Sequence, residues 1–172
     1  MKSIVIYSSL TGNTKQVAEA ITSVLPVDTL CVSMKELPPD VSSYDLVFAG
    51  FWVDKGTANK DARDVLGTLH NPHIALFATA GVPPQMAHAK ESLINAANCL
   101  PDGVEPVGTF ICQGKVDPKV IEMMYKMFPK GHSHGQSADR DARHKQAAVH
   151  PNEDDFKAAQ DFAQHILAKL ER

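Results

Sequence analysis

The sequence predicts an α/β fold in which a five-stranded parallel sheet is covered by helices on both faces, giving three layers. Short apolar runs typical of buried strands alternate with segments of helical periodicity along the whole chain. Strands and helices that alternate in this way form doubly wound parallel sheets. The 172 residues, of which 44% are hydrophobic, suit a single domain spanning residues 1–172.

The first predicted strand, Ile4–Tyr7, is followed by a loop of small hydroxyl residues and then directly by a helix. An unbroken apolar run with β-branched residues favours a strand that is buried on both faces. Apolar residues at helical spacing between Val17 and Leu25 predict the helix. The loop between them consists of Ser8, Ser9, Leu10, Thr11, Gly12, Asn13 and Thr14.

A loop of this composition at a helix N-terminus favours phosphate binding, because free N–H groups and the helix dipole both attract an anion. Its only glycine is Gly12, which excludes a P-loop and a dinucleotide-binding fingerprint. The loop has no Lys or Arg, so neutral donors would hold a single phosphate. A Ser/Thr-rich turn with an ordinary N-cap is the alternative interpretation.

The later elements continue the alternation of strands and helices. Apolar runs predict strands, and apolar spacing, proline starts and terminal charges predict helices. The predicted strands are Val27–Val32, Tyr44–Phe51, His73–Thr79 and Val104–Cys112. The predicted helices are Ala58–Leu69, Pro83 to about Asn98, Asp117–Met127 and Asn152 to about Arg172. Residues 129–150, rich in Gly, His and Ser, are predicted to be irregular.

The segment Tyr7–Thr14, Tyr-Ser-Ser-Leu-Thr-Gly-Asn-Thr, resembles the FMN phosphate loop of the flavodoxin family. That motif is specific when it follows the first strand, and later segments fit the flavodoxin order as well. The resemblance implies the flavodoxin-like strand order 2-1-3-4-5 and FMN as the cofactor. The flavin would lie at the C-terminal ends of strands one and three, where the winding of the sheet reverses.

Two further loops are expected beside the flavin. The loop after the third strand contains Trp52, the only tryptophan, which is placed to stack on the isoalloxazine ring or else to pack under its own loop. In flavodoxins a carbonyl of this loop turns toward flavin N5, and the carbonyls of Asp54 and Lys55 are both candidates here. The second loop follows the fourth strand. The cofactor-binding residues expected after the third strand are Phe51, Trp52, Val53, Asp54, Lys55 and Gly56, and those expected after the fourth strand are Thr79, Ala80, Gly81 and Val82.

Composition excludes several classes of function. A formal net charge of −3 gives no support for nucleic-acid binding, and no apolar run reaches the ~20 residues of a membrane span. The three cysteines form no Cys-x-x-Cys pair, so neither an iron–sulfur cluster nor a zinc ribbon is expected. The pair His132 and His134 has no carboxylate or cysteine at a ligand spacing, so no metal site is expected there either. An odd cysteine number without an export signal predicts a cytoplasmic protein.

Three functions remain open. The first is an FMN-binding electron carrier that serves a reductase or dehydrogenase partner and has no catalytic residues of its own. The second is a small FMN-dependent NAD(P)H:quinone-type oxidoreductase, and the third is a flavodoxin-fold binding module without flavin. The segments Phe51–Lys60 and His150–Asp155 resemble a BilS-type subgroup of flavodoxin-like proteins from anaerobic bacteria, some of which are associated with bilirubin reduction. This resemblance implies a bilirubin reductase as a possible partner.

Overall fold

The computed structural model describes all 172 residues and contains one sheet of six strands. Five strands are parallel in the order β2-β1-β3-β5-β6, and the short β4 pairs antiparallel with β3. Numbered along the chain without β4, this is the order 2-1-3-4-5, so the predicted fold class is confirmed. The strands are β1 Ser3–Tyr7, β2 Leu30–Ser33, β3 Leu46–Asp54, β4 Thr57–Ala58, β5 His73–Ala80 and β6 Gly108–Gln113.

Six α-helices and two short 3₁₀ turns accompany the sheet. Side chains on one face of the sheet pack with α2 and α3, and those on the other face pack with α1 and α6. Alternation along β1 shows the division, because Ile4 and Ile6 belong to the first core and Val5 to the second. The helices are α1 Asn13–Thr22, α2 Lys60–Leu66, α3 Ala87–Ala97, α4 Pro118–Met127, α5 Ala138–Ala147 and α6 Glu153–Leu170; the turns are Met34–Glu36 and Val41–Ser43.

The third strand is longer than predicted, and the loop expected to start at Phe51 is largely a hairpin. Strand β3 pairs with β5 as far as Trp52 opposite Thr79, and then folds back on β4 through the pair Val53–Ala58. The prediction of a loop over these residues was wrong because β3 finds a new antiparallel partner beyond the end of β1. The reversal uses a two-residue turn in which Lys55 (φ 50°) and Gly56 (φ 77°) are both left-handed.

Residues 129–150 are not wholly irregular, because they contain α5. Ser137 caps this helix through a hydrogen bond from the Arg140 N–H to its Oγ (3.2 Å). Asp139 lies in the first turn and Lys145 in the last, as the helix dipole favours. The prediction was wrong because the helix is polar almost throughout and lacks the apolar spacing from which the other helices were predicted.

Other element boundaries differ by a few residues. Strand β2 begins at Leu30, since Val27 is fully exposed in the preceding turn, and β6 begins at Gly108, beyond Pro106. The ladder between β5 and β6 begins with the pair Ala75–Gly108, two residues after Pro106. No helix in the structure combines the length and apolar character that a membrane span requires.

Candidate functional site

A cleft of about 350 Å³ lies at the carboxyl edge of the sheet, where the loops after four strands meet. Its volume falls in the range of roughly 300–1,000 Å³ typical of small-molecule sites. The position agrees with the rule that open α/β sheets bind ligands beyond the carboxyl ends of their strands. The lining residues are Ser9, Leu10, Thr11, Asn13, Thr14, Trp52, Val53, Asp54, Lys55, Thr79, Ala80, Gly81, Gly114, Lys115, Val116, Asp117 and Val120.

The N-terminus of α1 opens into this cleft without a side-chain cap. Gly12 precedes the helix in a left-handed conformation (φ 93°), and its N–H donates to Ser9 Oγ (3.1 Å). The first helical hydrogen bond runs from the Gln16 N–H to the Gly12 carbonyl (3.0 Å), so the first-turn N–H groups lack intrahelical acceptors. These donors and the exposed Thr11 hydroxyl are groups that could hold an anion.

Side-chain hydrogen bonds join the phosphate loop, residues 8–14, to the neighbouring loops. The buried hydroxyls of Thr14 and Thr79 lie 2.9 Å apart, which ties the start of α1 to the end of β5. Asn13 Nδ2 donates to the Lys115 carbonyl (2.8 Å) and thereby holds the loop after β6. The polar groups of Asn13 and Thr14 therefore fix the shape of the cleft.

Asn59 is hydrogen-bonded to the first residue of the phosphate loop. Its Nδ2 donates to Ser8 Oγ (2.7 Å), and the Ser8 N–H donates to the Gly50 carbonyl (2.9 Å). Both Ser8 and Asn59 are buried. The Ser8 side chain thus serves the structure of the loop, and it does not line the cleft.

Trp52 lies at the end of β3, half-buried, and forms part of the cleft wall. The next residues, Val53 to Lys55, continue that wall along the hairpin. Asn95 on α3 fixes the turn from outside, because its Nδ2 donates to the Gly56 carbonyl (2.8 Å). The side chain of Trp52 therefore shares the cleft with the N-terminus of α1.

Small residues at the end of β5 bring its backbone close to the cleft. Ala80 and Gly81 line it, and a Cβ on Gly81 would lie only 2.6 Å from Val116 Cγ2. Glycine at this position therefore allows the loops after β5 and β6 to touch. The contact places Val116 in the cleft, where Val120 from α4 adds a second apolar side chain.

Twelve of the seventeen residues predicted for the cofactor site line this cleft. The five that do not are Ser8, Gly12, Phe51, Gly56 and Val82. Phe51 is fully buried in the core, while Gly12 and Gly56 shape the two turns that border the cleft. Val82 is half-buried beside it.

Sequence reasoning missed the loop after β6 and the start of α4. The loop contributes Gly114, Lys115, Val116 and Asp117 to the cleft, and α4 contributes Val120. The parallel order places β6 beside β5, so their carboxyl ends meet at one edge. The pair Asp117-Pro118 carried a local signal for this loop, since Asp117 caps α4 by accepting a hydrogen bond from the Lys119 N–H (2.8 Å).

Charges at the cleft are mixed, with Lys55 and Lys115 exposed and Asp54 and Asp117 half-buried. Below the cleft, burial and then the nearby Asp155 carboxylate raise the pKa of the Cys112 thiol far above its ordinary value. Cys112 is therefore a neutral core residue. The structure contains no cluster of three or more His, Cys, Asp or Glu side chains arranged to hold a metal ion.

These features fit FMN, which has a phosphate at one end and a flat aromatic ring at the other. The uncapped helix start suits the phosphate, and Trp52 offers an aromatic surface within the same cleft. The family model of the flavodoxin domain matches residues 4–164. The chain belongs to the flavodoxin domain family. Family membership and the geometry of the cleft together support FMN as the cofactor.

Known proteins similar to this flavodoxin-domain chain agree with that assignment. The flavodoxin-like domain-containing protein BilS of Clostridioides difficile (strain CD3) is 35% identical over 176 residues and covers 98% of both chains. The resemblance to flavodoxins and to their BilS-type subgroup is thereby confirmed.

Two solved structures share the fold at low sequence identity. The flavodoxin of Streptococcus pneumonia TIGR4 is 13% identical with a TM-score of 0.58, covering 98% of this chain and 99% of its own. A flavoprotein in complex with FMN from Lactobacillus acidophilus NCFM is 19% identical with a TM-score of 0.53, covering 64% of this chain and 93% of its own.

Proposed function

We propose that this protein binds FMN in the cleft and carries electrons between partner proteins. One observation carries the proposal: the uncapped N-terminus of α1 and the side chain of Trp52 line the same cleft. A phosphorylated flavin needs both an anion site and an aromatic surface, and the two features together indicate such a ligand more strongly than either feature alone. The membership of the flavodoxin domain family weighs against a binding module without flavin.

The roles of individual residues follow from their contacts. The first-turn N–H groups of α1 and the hydroxyls of Ser9 and Thr11 would hold the phosphate, while Asn13 and Thr14 keep the loop in shape. Trp52 would supply the surface on which the ring stacks. When bound, FMN supplies reversible transfer of one or two electrons, and the protein supplies binding and orientation.

The β3–β4 turn offers a carbonyl that can respond to the flavin. Asn95 holds the Gly56 carbonyl, and Asp54 is paired with Thr57 between the strands. Of the two carbonyls expected to turn toward flavin N5, that of Lys55 therefore has the greater freedom. The following glycine makes rotation of this peptide inexpensive.

A carrier fits the cleft better than a quinone reductase does. The cleft has a volume of about 350 Å³, at the lower end of the range for small-molecule sites. This volume suits FMN alone, without a nicotinamide or quinone beside it. The partner would be a reductase or dehydrogenase. A bilirubin reductase as that partner rests on the sequence resemblance alone, and a cytoplasmic location and a single domain over residues 1–172 also stay predictions.

Anaerobic mixing of the FMN-loaded protein with NADH or NADPH and a quinone tests the proposal. We expect no sustained turnover, and we expect electron flow to appear when a separate flavodoxin reductase is added. Turnover near the ~10 s⁻¹ typical of enzymes, without the added reductase, would contradict the carrier function and favour the quinone-type oxidoreductase.

A further inference from the structure

Helix α4 is amphipathic, yet it buries none of its residues. Its apolar side chains Val120, Met123 and Met127 are spaced three and four residues apart, so they share one face. They are 38%, 56% and 65% exposed. Helix α5 packs against another part of α4, where Tyr125 donates to Asp141 Oδ1 (2.8 Å), and leaves this face uncovered.

This apolar face is continuous with the mouth of the cleft. Val120 belongs both to the face and to the cleft lining. Leu10 of the phosphate loop also lines the cleft and is 64% exposed. We call the four residues Leu10, Val120, Met123 and Met127 the α4 face.

Charge is distributed unevenly around the α4 face. Residues 114–150 carry seven Lys or Arg and four Asp or Glu, a net charge of +3. The rest of the chain carries ten Lys or Arg and sixteen Asp or Glu, a net charge of −6. Among the acids, Glu122 pairs with Lys126, and Asp117 caps α4. Lys119 and Lys130 are exposed and form no ion pair. The α4 face is therefore apolar, and the segment that supplies three of its four residues has a net positive charge.

We propose that the α4 face docks a redox protein whose own contact surface is apolar at its centre and ringed by carboxylates. This inference rests on the proposed function, because it places the partner at the mouth of the flavin cleft. A second copy of the chain fits poorly through the same face, since the two segments 114–150, each of net charge +3, would repel each other. The contact is transient and buries less than about 1,200 Å², as is usual for redox encounters.

Helix α3 provides a matched control for α4. Lys119 and Met123 lie four residues apart on α4, and Lys90 and Ile94 have the same spacing on α3. Ile94 is 61% exposed, comparable to Met123, and Lys90 forms no ion pair. Lys90 and Ile94 border a shallow groove that shares no residue with the cleft. The test compares Lys119→Glu/Met123→Ser with Lys90→Glu/Ile94→Ser, both loaded with FMN.

The probe is a strongly acidic [2Fe–2S] ferredoxin of the plant type, used as an electron donor because its potential is low. Stopped-flow absorbance measures the rate at which reduced ferredoxin reduces the FMN-loaded protein. We expect the α4 variant to be about tenfold slower than the unmodified protein at low salt. The difference should narrow near 1 M salt, where the charge reversal at Lys119 is screened but the loss of the Met123 side chain is not. The α3 variant should be reduced at the same rate as the unmodified protein at each salt concentration.

Amide NMR shifts upon addition of oxidised ferredoxin give a second readout that is independent of electron transfer. Shifts confined to α4 and the phosphate loop would support the proposal. Equal slowing in both variants, or the absence of shifts at α4, would overturn it. Two further results would overturn it in favour of other occupants: α4-dependent binding to vesicles of phosphatidylcholine with phosphatidylglycerol, or an α4-dependent dimer in sedimentation.

An FMN titration of both variants keeps this proposal distinct from the proposed function. If FMN binds to both variants as to the unmodified chain but α4 has no effect on ferredoxin, the docking surface alone is refuted. If FMN fails to bind to the unmodified chain, the proposed function fails first, and the docking proposal falls with it.

Discussion

At the residue scale, the phosphate loop divides its side chains between shaping the cleft and facing it. The side chain of Asn13 donates to the Lys115 carbonyl, and the Thr14 hydroxyl is hydrogen-bonded to the Thr79 hydroxyl. Thr11 is exposed in the cleft, and its hydroxyl takes part in no hydrogen bond within the protein. Thr11 is therefore the residue whose hydroxyl can be removed with the least effect on the loop itself.

We predict that Thr11→Ala weakens FMN binding by roughly 1.5–3 kcal/mol, about 10- to 150-fold in Kd, because a hydrogen bond to a charged phosphate is lost. Riboflavin, which has no phosphate, should bind to the variant as it does to the unmodified protein. Thr68→Ala, two residues after α2, removes a hydroxyl that does not line the cleft and serves as the control. Equal losses for FMN and riboflavin would place the phosphate elsewhere.

Lys55 is the only residue other than glycine with a positive φ, and it lies next to Gly56 in the turn beside the cleft. A left-handed conformation costs a residue with a Cβ roughly 1–2 kcal/mol. We predict that Gly56→Ala lowers the free energy of unfolding by about this amount, since its new Cβ would meet nothing closer than 3.6 Å and only the backbone is strained. Urea denaturation followed by circular dichroism measures the change.

Gly67→Ala is the control for that substitution. Gly67 has helical backbone angles at the end of α2, and its added Cβ would find ordinary contacts at 3.6 Å. This variant should be unchanged or more stable by about 0.4–1 kcal/mol. If Gly56→Ala were as stable as Gly67→Ala, the left-handed turn described here would be incorrect.

At the element scale, α4 and α5 form a unit held together by few contacts. Tyr125 meets His144 edge-on, with ring centroids 6.0 Å apart, and both ring nitrogens of His144 are covered and lack a hydrogen-bond partner. Burial lowers the pKa of His144, Arg140 and Arg143 lower it further, and Asp141 acts in the opposite direction. Neutral His144 is thus the form compatible with α5 packed on α4.

We predict that α5 loosens as the pH falls below about 6.5, the ordinary pKa of histidine. The unfolded helix binds the proton more readily than the packed one, so packing loses stability from pH 6.5 down to the lowered pKa of His144. Amide hydrogen exchange of residues 138–147 at pH 7.5 and 5.5, corrected for intrinsic rates, measures the effect. His144→Gln should flatten the pH dependence, and His165→Gln, an exposed histidine on α6, should not.

The elements also show which parts of the fold could be predicted. The unit from β1 through the phosphate loop to α1 carries its own signal, namely an apolar run, a hydroxyl loop and helical spacing, and it was predicted nearly in full. Helix α5 was missed because its only signals are Ser137 and the charges at its two ends. The hairpin at Lys55 and Gly56 was missed because its second strand, Thr57–Ala58, is too short for alternation to be seen.

At the scale of the whole molecule, the carboxyl edge of the sheet assembles the cleft from four separate segments. The contributions of Ser9 to Thr14, Trp52 to Lys55 and Thr79 to Gly81 were expected from the sequence. Those of Gly114 to Asp117 and Val120 were not, because their proximity depends on the position of β6 beside β5 and on the contact between Gly81 and Val116. Such long-range packing leaves no periodic pattern in the sequence.

The net charge of the chain is near zero, but the charges are unevenly distributed over the molecule. A net charge of −3 combines an acidic body with a basic segment, residues 114–150, and the start of that segment, Gly114 to Asp117, lines the cleft. Net charge alone would indicate little preference among partners. The placement of the basic segment instead directs an acidic partner toward the cofactor site.

Titration of FMN into the apoprotein, followed by tryptophan fluorescence, shows whether FMN occupies the cleft, because Trp52 is the only tryptophan and lines the cleft. We predict that Trp52 emission is quenched as FMN binds and that the quenching saturates at one FMN per chain. An emission that stays unchanged while excess FMN is added would show that the flavin does not bind in the cleft.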